Sequence, residues 1–141
     1  MTNENKNITI TFKNPNFEAA VREILNKPDG DITKADVSEI IELNFSDKQI
    51  SNLSEIKYFI GLEYLDLKGN QIGDLSPLSG LNKLKTLLLI EENEDIRKQI
   101  DELCATLPNC NIVRFFDLGG IRITEAALIH IFGDMKNKGD L

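Results

Sequence analysis

The sequence predicts an α/β solenoid of about four parallel strands, entered through an N-terminal helical cap and carrying α-helices on the convex side of its last two units. Three observations carry that prediction. Residues 40–61 and 62–83 are one pattern written twice. Ile40, Leu43, Phe45, Ile50, Leu53, Ile56 and Phe59 recur, at a constant step from 40 to 62, as Leu62, Leu65, Leu67, Ile72, Leu75, Leu78 and Leu81. A fixed period of this length marks a stack of turns that share one core. Within each unit the first apolar residues alternate, as in a short strand with one face inward. Before and after the repeats the apolar spacing becomes helical.

The cap is expected over residues 1–39. Ile8-Thr9-Ile10-Thr11-Phe12 alternates and suits a short strand. Asn14-Pro15 opens a helix, because proline is tolerated in a first turn. Phe17, Ala20, Val21, Ile24 and Leu25 then form one apolar stripe. Lys27-Pro28-Asp29-Gly30 is a turn. Thr33 with Asp36 resembles a capping box and starts a second short helix. The stripe must cover something, and the open end of a solenoid needs covering.

A third unit begins on schedule at Leu84, with Leu87 and Leu89 in place, and then changes character. Asn93 caps a helix whose first turn holds Glu94 and Asp95, and Ile96, Ile100, Leu103 and Leu107 line one face of it until Pro108. The next spine is placed at Val113, with Phe116, Leu118 and Ile123, which makes the third unit residues 84–112 and the fourth 113–135. Thr124 is expected to cap a last helix with Leu128, Ile131, Phe132 and Met135 on one face, before a tail over 136–141. All 141 residues then form one domain.

Composition removes several function classes. The net charge of −7 argues against a nucleic-acid partner, which needs clustered lysine and arginine. No stretch approaches the roughly 20 apolar residues of a membrane span. The start, MTNENKNITITF, carries no apolar signal-peptide core as written, which points to the cytoplasm; a trimmed secreted chain would look the same. Cys104 and Cys110 are too few for a disulfide framework or a metal site and read as small reduced hydrophobes. His130 is the only histidine and reads as structural. Gly119-Gly120 lacks the lysine and hydroxyl of a phosphate loop and reads as a turn after a strand. Glu91, Glu92, Glu94 and Asp95 lack calcium-loop spacing and suit a helix N-terminus. No catalysis, cofactor or metal is expected.

The spine Leu62-x-x-Leu65-x-Leu67-x-x-Asn70-x-Ile72 resembles the leucine-rich repeat. The first 83 residues resemble the start of a bacterial internalin-type protein, through the Asn14–Leu25 helix with KPDGDIT after it, the helix leading into Ile40, and the LSPLSGLNKL return. That resemblance implies a helical cap on a solenoid of 22-residue turns. Residues 113–128, VRFFDLGGIRITEAAL, resemble the longer ribonuclease-inhibitor type of repeat. The family's asparagine, which ties neighbouring turns together, is matched at Asn70, while the equivalent places hold Lys48, Glu92 and Ile121. The resemblance therefore implies a broken asparagine ladder.

With the leucines pointing inward, the residues between them face the concave surface. The predicted columns are Glu42, Tyr64, Thr86 and Phe115; Asn44, Asp66, Leu88 and Asp117; and Ser46, Lys68, Ile90 and Gly119. Strands about 4.8 Å apart make Tyr64, Leu88, Ile90 and Phe115 one apolar patch, with Asp66, Lys68 and Asp117 setting orientation at its rim. About 20 concave residues approach a standard protein interface. A protein partner is the leading expectation. Two readings stand beside it: a homodimer closed through this patch, and burial of Leu88 and Ile90 by the C-terminal tail or a different register of the third unit. An inhibitor or immunity protein against a basic toxin or enzyme would also suit the acidic balance.

Overall fold

The computed structural model describes residues 8–131 apart from 125 and 128. Helix α1, Pro15–Leu25, begins where Asn14 accepts from the amides of Asn16 and Phe17 and ends at Asn26 in the left-handed conformation, φ 51°. Helix α2, Lys34–Ser38, starts with a complete capping box between Thr33 and Asp36. The strand expected over residues 8–12 is reduced to one antiparallel bridge, Thr9 to Thr33. The stripe on α1 is narrower than its spacing predicts: Phe17, Ala20 and Val21 are buried, but Ile24 is 44% exposed. Phe17 sits among Phe12, Phe45 and Phe59 with ring centroids 5.3, 5.1 and 5.8 Å away. Offset and edge-on contacts of this kind add to the area buried, and they join α1 to the first turn of the solenoid.

One sheet runs in chain order. Strands β1 (Glu42–Asn44), β2 (Tyr64–Asp66), β3 (Thr86–Ile90) and β4 (Asn111–Asp117) run parallel, and β5 (Arg122–Thr124) lies antiparallel to β4 at the edge. The fold is thus α/β with a mainly parallel sheet. Leu43, Leu65 and Leu87 are opposite one another and fully buried. The first two turns return through the 3₁₀ segments Ser54–Tyr58 and Ser76–Leu78, and the third through helix α3, Glu94–Thr106. Gln99 of α3 pins that helix to the turn before it, accepting from the Leu75 amide at 2.7 Å and donating to the Gly73 carbonyl at 2.9 Å.

Two expectations about the C-terminal part are corrected. Leu87 is opposite Ile112, so the step from the third to the fourth strand is 25 residues (112 − 87) and not the 29 given by a spine at Val113. Arg114 is the reason. It is paired with Leu89, in a leucine's place, and hides the alternation of Ile112, Arg114 and Phe116 behind the louder run of Phe115, Phe116 and Leu118. The second correction is β5. The segment that resembles a ribonuclease-inhibitor repeat folds as a hairpin about Gly119 and Gly120, φ +68° and +96°, closed by the Leu118 amide donating to the Ile121 carbonyl. Two consecutive glycines at positive φ supply the turn that matches strand twist. Thr124 does act as a cap at the end of β5, accepting from the Ala127 amide at 3.2 Å. Of the stripe expected there, Ile131 is 48% exposed, and Leu128, Phe132 and Met135 lie outside the described residues.

Asn70 holds the first two turns together. Its side chain, 5% exposed, accepts from the amides of Lys48 and Ile50 and donates to the carbonyls of Phe45 and Leu67. Asn70→Ala removes every one of these partners from backbone groups that water cannot easily reach. We expect a loss of about 3 kcal/mol in urea unfolding; a loss under about 1 kcal/mol would show that the turns do not depend on it. Phe17→Ala empties the centre of the phenylalanine cluster and is expected to cost about 3–5 kcal/mol in the same measurement.

Candidate functional site

The face of the sheet opposite the leucine core is built by strand alternation, because successive side chains point to opposite sides. Glu42 is opposite Tyr64 and Tyr64 opposite Thr86; Asn44 is opposite Asp66 and Asp66 opposite Leu88. The register then continues from Thr86 to Asn111, Leu88 to Val113 and Ile90 to Phe115. Phe115 therefore belongs further along the strands than its predicted column, beside Ile90 and at the far end from Tyr64. Asp117 is exposed on the hairpin, where it accepts from the Gly120 amide at 2.7 Å. Six of the seven predicted residues fall into two groups. Tyr64 and Leu88, both half-buried, remain on the open part of the face. Asp66, Lys68, Ile90 and Phe115 form a closed cluster, and Asp117 stands beyond it.

That cluster is tightly made. Lys68 comes after β2 and extends across β3, so that its Nζ lies 4.5 Å from the centroid of the Phe115 ring on β4 and 3.6 Å from Asp66 Oδ2. Ile90 lies on the strand between them and is only 8% exposed, yet it is no part of the contiguous leucine core. By strand alternation it faces away from Leu89. Asp66 is 5% exposed and also accepts from the Lys68 amide at 3.0 Å. Ile90 is thus a covered side chain and not an exposed part of an apolar patch.

Two residues not expected from the sequence complete the arrangement. Arg122 on β5 donates from Nη1 and Nη2 to the two Asp47 carboxylate oxygens, at 3.0 and 2.6 Å. Asp47 belongs to the turn after β1 and has φ 56°. A Cβ added to Gly69, which has φ +77°, would run into both the Asp47 carboxylate and the Arg122 guanidinium. Arg122 therefore reaches across the turns that come after β1 and β2. A signal for the hairpin was present: two alternating runs flank Gly119-Gly120, which is a hairpin pattern. Nothing in the spacing pointed to Asp47.

On the opposite, core-facing side of β4, Arg114 donates to Asp101 Oδ1 at 2.5 Å and approaches Cys104 Sγ at 3.7 Å and Glu91 at 3.8 Å. Burial works against the Arg114 charge, but the Asp101 and Cys104 acceptors outweigh it and raise its pKa. Cys110 is half-buried, and burial pushes its thiol up. His130 is exposed on the closing helical segment. Among the described residues no helix is long and apolar enough to cross a membrane.

The Arg122 guanidinium holds the Asp47 carboxyl below the ordinary value of 3.8, and Asp47 holds Arg122 up in turn. A depressed carboxyl keeps its contact above the ordinary value and loses it as pH falls through the depressed one. The Asp47 side-chain carbon is therefore expected to titrate below 3.8 by NMR and to move up towards it in Arg122→Gln. An identical midpoint in both proteins would show that the pair does not form in solution.

No family model and no curated protein matches the chain. Solved structures do. An internalin (InlF) from Listeria monocytogenes is similar at 26% identity and a TM-score of 0.58, over 77% of this chain and 31% of the internalin. The CBM51-2 and INT domains of Clostridium perfringens ZmpB, solved in complex with GlcNAc, are similar at 27% identity and a TM-score of 0.52, over 61% of this chain and 19% of that one. The chain thus spans about a third of the internalin it resembles. Repeat period, parallel register, buried leucine columns and this likeness agree, and the chain is an internalin-like leucine-rich repeat protein.

Proposed function

We propose that the chain is a non-catalytic interaction module that binds a protein partner through the concave face of its parallel sheet. The observation that carries this reading is the register of β1, β2 and β3, which sets Glu42, Tyr64 and Thr86 in one row and Asn44, Asp66 and Leu88 in the next. At strand spacing these rows form a continuous surface that passes from polar at β1 to apolar at Leu88. A half-buried aliphatic and an aromatic ring inside a polar rim suit the centre of an interface. The likeness to an internalin supports the same class of function.

In this reading α1 and α2 are the cap of the first turn, through Phe17 on Phe45 and through the Asn16 side chain donating to the Gln49 carbonyl at 2.9 Å. Helix α3 covers the convex side of the third turn, which leaves the concave side as the open one. The acidic excess does not favour a basic partner on this face, because Asp66 and Asp47 are already paired with Lys68 and Arg122. Self-association has one specific support: Leu118 and Ile121 at the hairpin tip are 53% and 65% exposed.

A photo-crosslinking residue placed at Thr86 should capture a defined protein in cells, and one placed at Ser79 on the return side should not. Leu88→Glu should abolish the Thr86 capture while shifting unfolding free energy by no more than about 1 kcal/mol. Equal capture from both positions would refute concave-face binding. A captured second copy of this chain, with a dimer in sedimentation, would replace it by self-association.

A further inference from the structure

We propose that the β4–β5 hairpin is a strap that closes over the C-terminal end of the concave face and opens as a unit. This rests on the concave-face reading for its biological meaning, but its geometry stands alone. In a flat sheet β5 would lie four strand spacings, about 19 Å, from β1. Arg122 of β5 nevertheless makes a two-pronged contact with Asp47, directly after β1. The hairpin must bend back across the strand ends to do so. β3 ends at Ile90, opposite Phe115, so β4 beyond Phe115 has only β5 as a partner. From Asp117 onward the hairpin leans on the body of the protein through side chains, and Lys68 over Phe115 forms a second fastening at its root.

The strap hides what the concave face would otherwise show. Arg122 lies over Gly69 and Asp47, at the turns where the rows of β1 and β2 end, while the hairpin tip turns Leu118 and Ile121 outward. The fastenings are weak by construction. Asp47 and Arg122 are in contact with water, and exposed ion pairs contribute little and are screened by salt. β5 is three residues long and paired on one side only. Segments with few buried contacts open independently of the rest of a fold. Opening would lift Arg122 off Gly69 and Asp47 and uncover the turns at which the rows of β1 and β2 end.

Hydrogen exchange on the full chain tests this without any partner. The wild-type hairpin amides over 116–124 should exchange faster at high salt than at low salt, while β1–β3 amides stay unchanged. Arg122→Gln should accelerate the hairpin amides by about two- to fivefold at low salt, and the charge exchange Asp47→Arg with Arg122→Asp should restore the slower rate. Unchanged hairpin exchange in Arg122→Gln, or an equal rise in β1–β3, overturns the strap. Crosslinking from Thr86 separates gating from the binding reading: Arg122→Gln should raise capture of the same protein. Lower capture would make the hairpin part of the binding surface and overturn its role as a cover. Absence of capture in wild type and variant alike would remove the binding reading and leave the exchange result to decide the strap.

Discussion

The leucines of successive turns can share one core only while the turns stay one strand spacing apart, and Asn70 is what holds the first two there. Its amide satisfies backbone groups of both turns at once, so the curve of the chain between Phe45 and Ile50 is tied to the curve between Leu67 and Asn70. Unpaired backbone groups at such a buried bend would be costly. With the spacing set, Leu43, Leu65 and Leu87 align and α1 can seat Phe17 against Phe45 and Phe59. The concave rows are a further consequence, since they are the other side of the same strands.

The same logic explains how the stack ends. Arg114 stands where the third turn has Leu89, and a half-buried guanidinium needs acceptors. Asp101, Glu91 and Cys104 supply them from α3 and from the end of β3. The core is thereby closed by polar contacts, and a further leucine turn would have to bury them. The strand after β4 is accordingly not another parallel one but the second arm of a hairpin at the edge of the sheet.

Particular residues show how far the sequence could be read. The 22-residue step, the Asn14 and Thr33 caps, the α3 stripe and the single asparagine rung were all legible, because each is a local pattern with one physical reading. The residues that share the outer face of β1–β3 were legible for the same reason. The last strand was not: Arg114 broke the alternation, and Phe115, Phe116 and Leu118 offered a false spine out of step with the true one. That error moved Phe115 and Asp117 into the wrong rows of the face they do share. The Asp47–Arg122 pair joins residues 75 positions apart and leaves no mark on either neighbourhood.

Repetition and alternation by themselves determined that this chain is a leucine-rich solenoid, how its first three strands are spaced, and which side chains lie on the two sides of β1–β3, because these depend on period alone. Whether Ile90 is offered to a partner or hidden was decided only by tertiary structure. Burial of a residue on an outer sheet face depends on which distant side chains lie over it. Beside Ile90, Lys68 meets the Phe115 ring through a register that one arginine had concealed, and Arg122 ties the following hairpin back to the first turn.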